Sequence, residues 1–175
     1  MRVFTIGHSN QPLEPFLDAL TAHAIELIAD VRRYPGSRRH PHFAQASLAA
    51  ALEAHGIAYL HLPELGGRRA ARKDSINTAW RNESFRGYAD YMETPDFAAG
   101  IARLLDAAAT RRVAIMCAEV LWWRCHRALI ADYLKAKGHE VIHIVSTQDG
   151  EPHPYTSAAG IVDGQLSYKG PGSAR

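Results

Sequence analysis

Two cysteines, eight residues apart, are the side chains of this chain best suited to covalent chemistry. Cys117 ends the apolar run Val113–Cys117, and Cys125 begins the sequence Cys125-His126-Arg127. A thiol near a helix N-terminus and near arginines has a lowered pKa, and the resulting thiolate is a nucleophile. This pattern predicts Cys117 as a nucleophile or redox centre. The groups predicted to move protons beside it are Glu119, His126 and His8.

Two other interpretations of the cysteines stay open at this point. A buried cysteine commonly behaves as a small apolar residue, so Cys117 could belong to the core. Cys117 and Cys125 could instead bind a metal with His126 and His8, although their spacing fits no short zinc signature. Two cysteines do not make a disulfide framework, and the sequence identifies no particular cofactor.

The segment 32–43 is a cationic arm with four arginines, two histidines and two aromatic residues. Guanidinium groups suit phosphate and carboxylate, and interleaved aromatic rings suit bases. The arm therefore predicts an anionic ligand related to nucleotides or nucleic acids. A solvated loop, partly neutralised by Asp30, Glu64 and Glu119, is the alternative. The arginines predicted to contact the anion are Arg32, Arg38, Arg39, Arg124 and Arg127.

Short polar loops supply the remaining candidates. The turn Gly7-His8-Ser9-Asn10 follows the first apolar run, and its backbone amides could receive a phosphate. It is neither a dinucleotide-binding fingerprint nor a Walker loop. The other residues predicted to bind substrate are Ser9, Asn10, Asp30, Glu64, Gly66, Gly67, Tyr88 and Cys125.

Apolar runs and helical patterns alternate along the chain. Strands are predicted at 2–6, 25–31, 57–62, 113–117 and 141–145, and helices at 12–23, 44–55, 85–92, 96–109 and 125–137. This alternation predicts a single α/β domain with an open, mainly parallel sheet of about five strands and helices on both faces, a Rossmann-like three-layer sandwich. In the commonest order of such a sheet the first and fourth strands are neighbours, so the polar loops converge on one edge.

Length and composition limit the class of protein. With 175 residues, 47% of them hydrophobic, the chain is long enough for one substantial core. We expect residues 1–146 to form the α/β domain and the Gly-, Pro- and Ser-rich residues 147–175 to be a loosely packed tail. A net charge of +2 does not by itself indicate nucleic-acid binding. Neither a signal peptide nor an apolar run of about 20 residues is present, so we expect a cytoplasmic protein.

Several motifs, taken together and in order, resemble a known family across nearly the whole chain. They are Thr5-Ile6-Gly7-His8-Ser9, Asp30-Val31-Arg32, Pro63-Glu64-Leu65-Gly66-Gly67, Phe85-Arg86-Gly87-Tyr88, and Cys117-Ala118-Glu119 with Cys125-His126-Arg127. The combination is similar to the bacterial proteins grouped as domain of unknown function 488. The resemblance implies a compact α/β domain with a polar site built from these motifs, and it implies no particular reaction.

Three functional hypotheses follow. The first is an enzyme that acts on an anionic, nucleotide-related or nucleic-acid-related substrate through a site of cysteine, glutamate and arginine at the carboxyl edge of the sheet. The second is a non-catalytic module that binds nucleic acid or another anion through the cationic arm. The third is a metal-binding protein that uses Cys117, Cys125 and histidine.

Overall fold

A six-stranded sheet forms the middle layer of the computed structural model, which describes residues 1–170. The strands are β1 Arg2–Gly7, β2 Leu27–Asp30, β3 Ala58–His61, β4 Val113–Cys117, β5 Glu140–Ile144 and β6 Glu151–Pro152. Their order in the sheet is β3-β2-β4-β1-β5-β6. The first five strands are mutually parallel, and β6 is antiparallel to β5.

Helices cover both faces of this sheet. They are α1 Leu13–Ala22, α2 Gln45–Ala54, α3 Glu83–Tyr91, α4 Pro95–Ala108 and α5 Arg127–Ala136. Phe16 of α1 and Leu48 of α2 belong to the apolar core on one face. Phe97 of α4 and Leu129 of α5 belong to the core on the other. A small hairpin, β7 Gly160–Val162 and β8 Gln165–Ser167, completes the described chain.

The central strand β4 is buried along its whole length. Ile115 and Cys117 face the core that contains α5, and Ala114 and Met116 face the core that contains α1. A strand covered on both faces needs a continuous apolar run, and residues 113–117 are such a run. Cys117 is therefore delivered to the carboxyl edge from the middle of the sheet.

The predicted α/β class, the mainly parallel sheet and the helices on both faces are confirmed. The predicted neighbourhood of the first and fourth strands is also confirmed, because β1 pairs with β4 and Gly7 lies opposite Cys117. One detail differs from the commonest order, since β4 also pairs with β2 and so separates β1 from β2.

The chain leaves β1 and β4 on opposite sides of the sheet. After β1 it enters α1, which packs on one face, and after β4 it enters α5, which packs on the other. Diverging connections of this kind open a crevice at the carboxyl ends of the two strands, where α/β proteins bind ligands.

The described part of the expected tail is packed rather than loose. Residues 151–152 form β6, the sixth strand, beside β5. His153 and Tyr168 are buried, at 3% and 4% exposure. Both side chains reach the buried carboxylate of Asp132 in α5, which explains why this polar segment is held in place. The last part of the expected tail, 171–175, lies outside the described residues.

None of the helices within residues 1–170 combines the length and apolar character needed to cross a membrane.

Candidate functional site

A cavity of about 630 Å³ opens at the carboxyl edge of the sheet, beside the ends of β1 and β4. Its floor includes both cysteines, and its walls come from the cationic arm, from the loop around Gly67 and from the start of α3. The volume falls within the range of small-molecule sites in proteins. The topological crevice of the sheet thus coincides with this cavity.

The two cysteines meet at the base of this cavity. Cys117 is the last residue of β4, and the loop 118–124 returns the chain so that Cys125 lies beside it. The Sγ atoms are 2.7 Å apart, both residues are free cysteines, and both are buried. Trp122 anchors the returning loop by stacking on the ring of His143, with 4.5 Å between centroids.

Gly7 lets the end of β1 approach that loop. A Cβ atom on Gly7 would collide with the carbonyl group of Glu119. Two backbone hydrogen bonds fix the approach, because the N–H of His8 donates to the carbonyl of Cys117 and the N–H of Ser9 donates to that of Ala118. These two amides are therefore used within the protein and are not free to bind a phosphate.

Cys125 accepts a hydrogen bond from the backbone and lies beside an imidazole ring. Its Sγ receives the backbone N–H of Arg127 at 3.4 Å and lies 3.5 Å from Nδ1 of His126. Burial alone raises a thiol pKa, but hydrogen bonding from Cys117 and the nearby His126 and Arg127 lower the pKa of Cys125 well below its ordinary value. The sulfur also lies just before α5, at the positive end of the helix dipole.

Cys117 has the opposite character. Burial raises the pKa of the Cys117 thiol, and its contact with Cys125 raises it further. A protonated Cys117 donates its S–H to Cys125 and so stabilises a thiolate there. The sulfur that the geometry favours as thiolate is therefore Cys125, whereas the sequence predicted Cys117.

His126 is oriented to exchange a proton with Cys125. Its Nε2–H donates to the carbonyl of Val31 at 3.0 Å, which leaves Nδ1 facing the sulfur of Cys125. In a neutral ring with this tautomer, Nδ1 carries a lone pair that accepts the thiol proton. Gly67 packs directly against the ring, where a Cβ atom would lie 3.0 Å from Nδ1.

His8 is a neutral group on the opposite wall. Burial lowers its pKa to about 4, the hydrogen bond to the carbonyl of Ser9 partly offsets this, and the nearby Arg32 lowers it again. Because Nδ1–H donates to Ser9, Nε2 carries a lone pair, and this atom lies 3.4 Å from Arg32. His8 is therefore a base at neutral pH and not a cation.

Arg32 is fixed by a buried ion pair. Its Nε and one terminal nitrogen donate to the two carboxylate oxygens of Asp30 at 2.9 and 2.8 Å. The hydroxyl of Tyr59 also donates to Asp30, and the other terminal nitrogen of Arg32 donates to the carbonyl of Phe43. Arg32 reaches the cavity wall, whereas Asp30 holds it there from below.

Arg127 is buried beneath the site rather than inside the cavity. Its guanidinium donates to Thr5 Oγ1 at 3.0 Å and to the carbonyl of Glu119 at 2.6 Å. It therefore fixes the loop that carries Glu119 and holds a positive charge under the two cysteines. It does not line the cavity, so direct anion binding by Arg127 is not supported.

A chain of buried polar groups links Arg127, the first residue of α5, to Asp132 in the middle of that helix. With both rings neutral, Nε2–H of His153 donates to Asp132, 2.8 Å away, and Nδ1 of His153 accepts from Nε2–H of His143. Nδ1 of His143 then accepts the hydroxyl of Thr5, whose oxygen accepts from Arg127. Every bond in this order has one donor and one acceptor with both rings neutral. The chain is thus an indirect ion pair between Arg127 and Asp132.

Exposed guanidinium groups dominate the rim of the cavity. Six arginines and one glutamate line it, and one of the six is Arg32, already paired with Asp30. The guanidinium groups of Arg33 and Arg68 lie 5.4 and 5.9 Å from the ring centroid of Tyr34. The rim therefore presents strong positive charge next to an exposed aromatic ring.

The structure brings eleven of the predicted site residues to one cavity. These are His8, Arg32, Arg38, Arg39, Gly67, Tyr88, Cys117, Glu119, Arg124, Cys125 and His126. Those that do not line it are Ser9, Asn10, Asp30, Glu64, Gly66 and Arg127. Glu64 is paired with Arg103, and Gly66 gives space to the backbone of Arg33.

The sequence prediction missed several contributors. The cavity is also lined by Arg33, Tyr34, Arg68 and Ser84, which were not among the predicted site residues. The buried chain from Thr5 to Asp132 was missed entirely. Its sequence signal is polar residues in apolar elements, namely His143 within strand β5 and Asp132 on the buried face of α5.

The cysteines are not part of a recognisable metal centre. Among residues 1–170, no group of three or more histidine, cysteine, aspartate or glutamate side chains is arranged to hold a metal ion. The metal-binding hypothesis therefore gains no support from the arrangement of donors.

Fold and site together define an α/β protein with a buried pair of thiols at a topological switch point, under a rim of arginines. The family model described as domain of unknown function DUF488 matches residues 12–134, most of the chain. The chain belongs to that family, as its motifs predicted. Comparison with curated proteins gave no match, and comparison with solved structures gave none.

Proposed function

We propose that this protein is a thiol-dependent enzyme that acts on an anionic substrate, with Cys125 as the attacking thiolate. The observation that carries the proposal is the set of donors around one sulfur at the floor of a cationic cavity. The N–H of Arg127 and the thiol of Cys117 both point to Cys125, and His126 Nδ1 lies 3.5 Å from it. A sulfur that only filled core space would not need these donors.

The proposed roles follow from position. His126 takes the proton of Cys125 and returns it to the leaving group, because its Nδ1 faces the sulfur and its Nε2 is held by a carbonyl. Arg38, Arg39 and Arg124 are exposed on the rim and bind the anion. Glu119 is the one carboxyl group among the described residues that line the same cavity, and it serves a second proton transfer.

The substrate proposed is a planar or aromatic anion, of which nucleotides and nucleic-acid components are the main natural class. Tyr34, Phe85 and Tyr88 line the cavity together with the arginines. Aromatic faces stack on bases, and guanidinium groups bind phosphate oxygens in pairs. The combination favours a ligand that has both features.

A matched pair of alkylating reagents tests this proposal. Iodoacetate and iodoacetamide differ in charge, so an arginine rim accelerates the first relative to the second at Cys125. We expect the ratio of the two rates to fall by about tenfold, equivalent to about 1.4 kcal/mol, in the double variant Arg38→Ala with Arg39→Ala. Peptide mass spectrometry separates modification of Cys125 from that of Cys117.

The control is Arg111→Ala. Arg111 is exposed and precedes β4, so it lies at the opposite edge of the sheet. It should leave the ratio unchanged. Equal rates for the two reagents in the unaltered protein, or an equal effect of Arg111→Ala, would count against an anion site above Cys125.

A binding module without catalysis is the second candidate, and the exposure of the arm favours it. Arg38 and Arg39 are exposed on a segment that contains only one short helical turn, Pro41–Phe43. Such a module binds single-stranded nucleic acid with an affinity that falls steeply with salt and does not change in Cys125→Ser. An enzyme with the proposed site loses turnover in that variant but keeps binding.

A further inference from the structure

The contact between the two sulfurs determines how a covalent adduct on Cys125 can be released. An attacking thiolate normally leaves a covalent adduct that water or a second nucleophile must release. Cys117 Sγ lies 2.7 Å from Cys125 Sγ, nearer than Nδ1 of His126 at 3.5 Å, and it is buried. Cys117 is therefore in position to attack the sulfur of Cys125 once that sulfur carries an adduct.

The two thiols differ in the way that this sequence of steps requires. Cys125 is stabilised as a thiolate by the N–H of Arg127 and by its place before α5. Cys117 is the protonated partner, and Arg127 beneath both sulfurs stabilises its thiolate when it forms. One thiol attacks first and the other resolves, which is the division of labour in dithiol reductases.

Little movement separates the thiol pair from a disulfide. An S–S bond is about 2.05 Å long, so the sulfurs must approach by less than 1 Å. Both ends of the intervening loop are already fixed, since β4 ends at Cys117 and Trp122 stacks on His143. Closure therefore needs no rearrangement between distant parts of the chain.

We propose that the Cys117 and Cys125 pair is a two-electron reductant, and that the substrate class is anionic disulfides. This inference rests on the proposed function and specifies its substrate. The Cys125 thiolate attacks one sulfur of the substrate R–S–S–R and forms Cys125–S–S–R, and the departing RS⁻ takes up the proton that His126 received from Cys125. Cys117 then attacks Cys125 Sγ, its proton passes to the second departing RS⁻, and the electron pair of the broken S–S bond leaves with that sulfur.

Atoms and electrons balance in this reaction. Two protein thiols and one substrate disulfide give one protein disulfide and two substrate thiols. A small dithiol then reduces the Cys117–Cys125 disulfide and returns the protein to its starting state. No metal or other cofactor takes part in these steps.

The test uses 5,5′-dithiobis(2-nitrobenzoate), an aromatic disulfide with two carboxylates, at one equivalent per reduced protein. We expect two equivalents of coloured thionitrobenzoate, the second released at a rate independent of protein concentration. Peptide mass spectrometry should find the Cys117–Cys125 disulfide and no retained adduct. Cys117→Ser should release one equivalent and keep the other on Cys125.

Other outcomes separate the two proposals. Release of one equivalent, with a stable adduct on Cys125 of the unaltered protein, would overturn the reductase proposal. It would still support Cys125 as the attacking thiolate. If Cys125→Ser reacts at Cys117 as fast as the unaltered protein reacts, the assignment of the attacking sulfur is wrong. Failure of both cysteines in the folded protein to react overturns the reductase together with the proposed function.

A neutral reagent of the same type tests the charge preference. The reaction with 4,4′-dithiodipyridine should change less than twofold in the variant that carries Arg38→Ala and Arg39→Ala, whereas the reaction with the dianionic reagent should slow by about tenfold. Equal slowing of both reagents would show that the arginines support the thiols structurally, and it would overturn the assignment of anionic substrates.

Discussion

At the scale of single residues, the buried ion pair under the cavity is the most consequential polar contact. Asp30 is fully buried, and it accepts bonds from Arg32 and Tyr59. Removal of one partner from such a pair leaves an uncompensated charge in a medium of low polarity. The motif Asp30-Val31-Arg32 therefore stabilises the fold and also aims a guanidinium at the cavity wall.

Asp30→Asn should lower the free energy of unfolding by about 3–5 kcal/mol, measured by urea denaturation. The matched control is Glu140→Gln, which removes a carboxylate from a surface pair with Arg2, where both side chains are about half exposed. The control should cost less than about 1 kcal/mol. Similar losses in the two variants would contradict the structural role given to Asp30.

The residue types of the site could be predicted from the sequence, but the division of labour between the cysteines could not. Cys117 and Cys125 stood out because they flank one short loop between a strand and a helix. Which sulfur accepts hydrogen bonds depends on where the N–H of Arg127 and the ring of His126 point. Those directions are set by the conformation of the folded loop, and they cannot be predicted from the spacing of the residues.

At the scale of elements, the site depends on how closely β1 approaches the loop after β4. Gly7 is the residue of β1 that makes this approach, and its Cβ position is filled by the backbone of Glu119 and Val120. Backbone atoms cannot move aside as a flexible side chain does. The need for glycine here comes from the contact between two elements and not from an unusual φ angle.

Gly7→Ala should separate β1 from the loop, destabilise the protein by more than about 2 kcal/mol and slow alkylation of Cys125. Gly36→Ala is the control, because no atom lies within 4 Å of a Cβ at that position. Thermal unfolding and alkylation rates report both effects. A Gly7→Ala protein as stable and as reactive as Gly36→Ala would show that the loop is not held in this way.

The positions of the strands and the sheet edge at which the polar loops meet could be predicted from the hydrophobic pattern of the sequence. The full order of the strands in the sheet could not. Each strand is an apolar run bounded by polar turns, and this pattern is visible in the local sequence. The insertion of β4 between β1 and β2 depends on the long connection 62–112, whose helices α3 and α4 pack back across the sheet. Neighbour choice among parallel strands is set by such tertiary packing.

At the scale of the whole molecule, the C-terminal segment and the site are parts of one polar network. His153, Thr156 and Tyr168 all donate to Asp132, and the chain of bonds continues through His143 to Arg127. The expectation of a loose tail rested on its Gly, Pro and Ser content. Composition does not show that three of its polar side chains share one buried carboxylate.

This network makes stability depend on pH. Burial, together with the nearby His153 and Arg127, lowers the pKa of His143 to about 2. The ring is thus neutral in the folded state, whereas in the unfolded chain it binds a proton below about pH 6.5. The neutral ring makes its full contribution to the free energy of unfolding above about pH 6.5. That contribution is lost as the pH falls, by up to about 1.4 kcal/mol per pH unit.

His143→Gln should flatten the fall in unfolding free energy between pH 6.5 and pH 4. Glutamine cannot titrate, and its amide retains one donor and one acceptor for the neighbouring groups. Urea denaturation at several pH values measures the slope, and His55→Gln, at an exposed position, serves as the control. An unchanged slope in His143→Gln would contradict a buried neutral histidine at this position.

The rate of iodoacetamide alkylation of Cys125 and Cys117, measured against pH and resolved by peptide mass spectrometry, shows whether Cys125 is the stabilised thiolate. We expect Cys125 to react at a rate that is already constant near pH 7, because its pKa lies well below the ordinary thiol value, and Cys117 to react much more slowly. Cys117→Ala should shift the Cys125 profile upward in pH through loss of one donor. A Cys125 profile that rises through about pH 8.5, as for an ordinary thiol, would contradict the assignment of Cys125 as the stabilised thiolate.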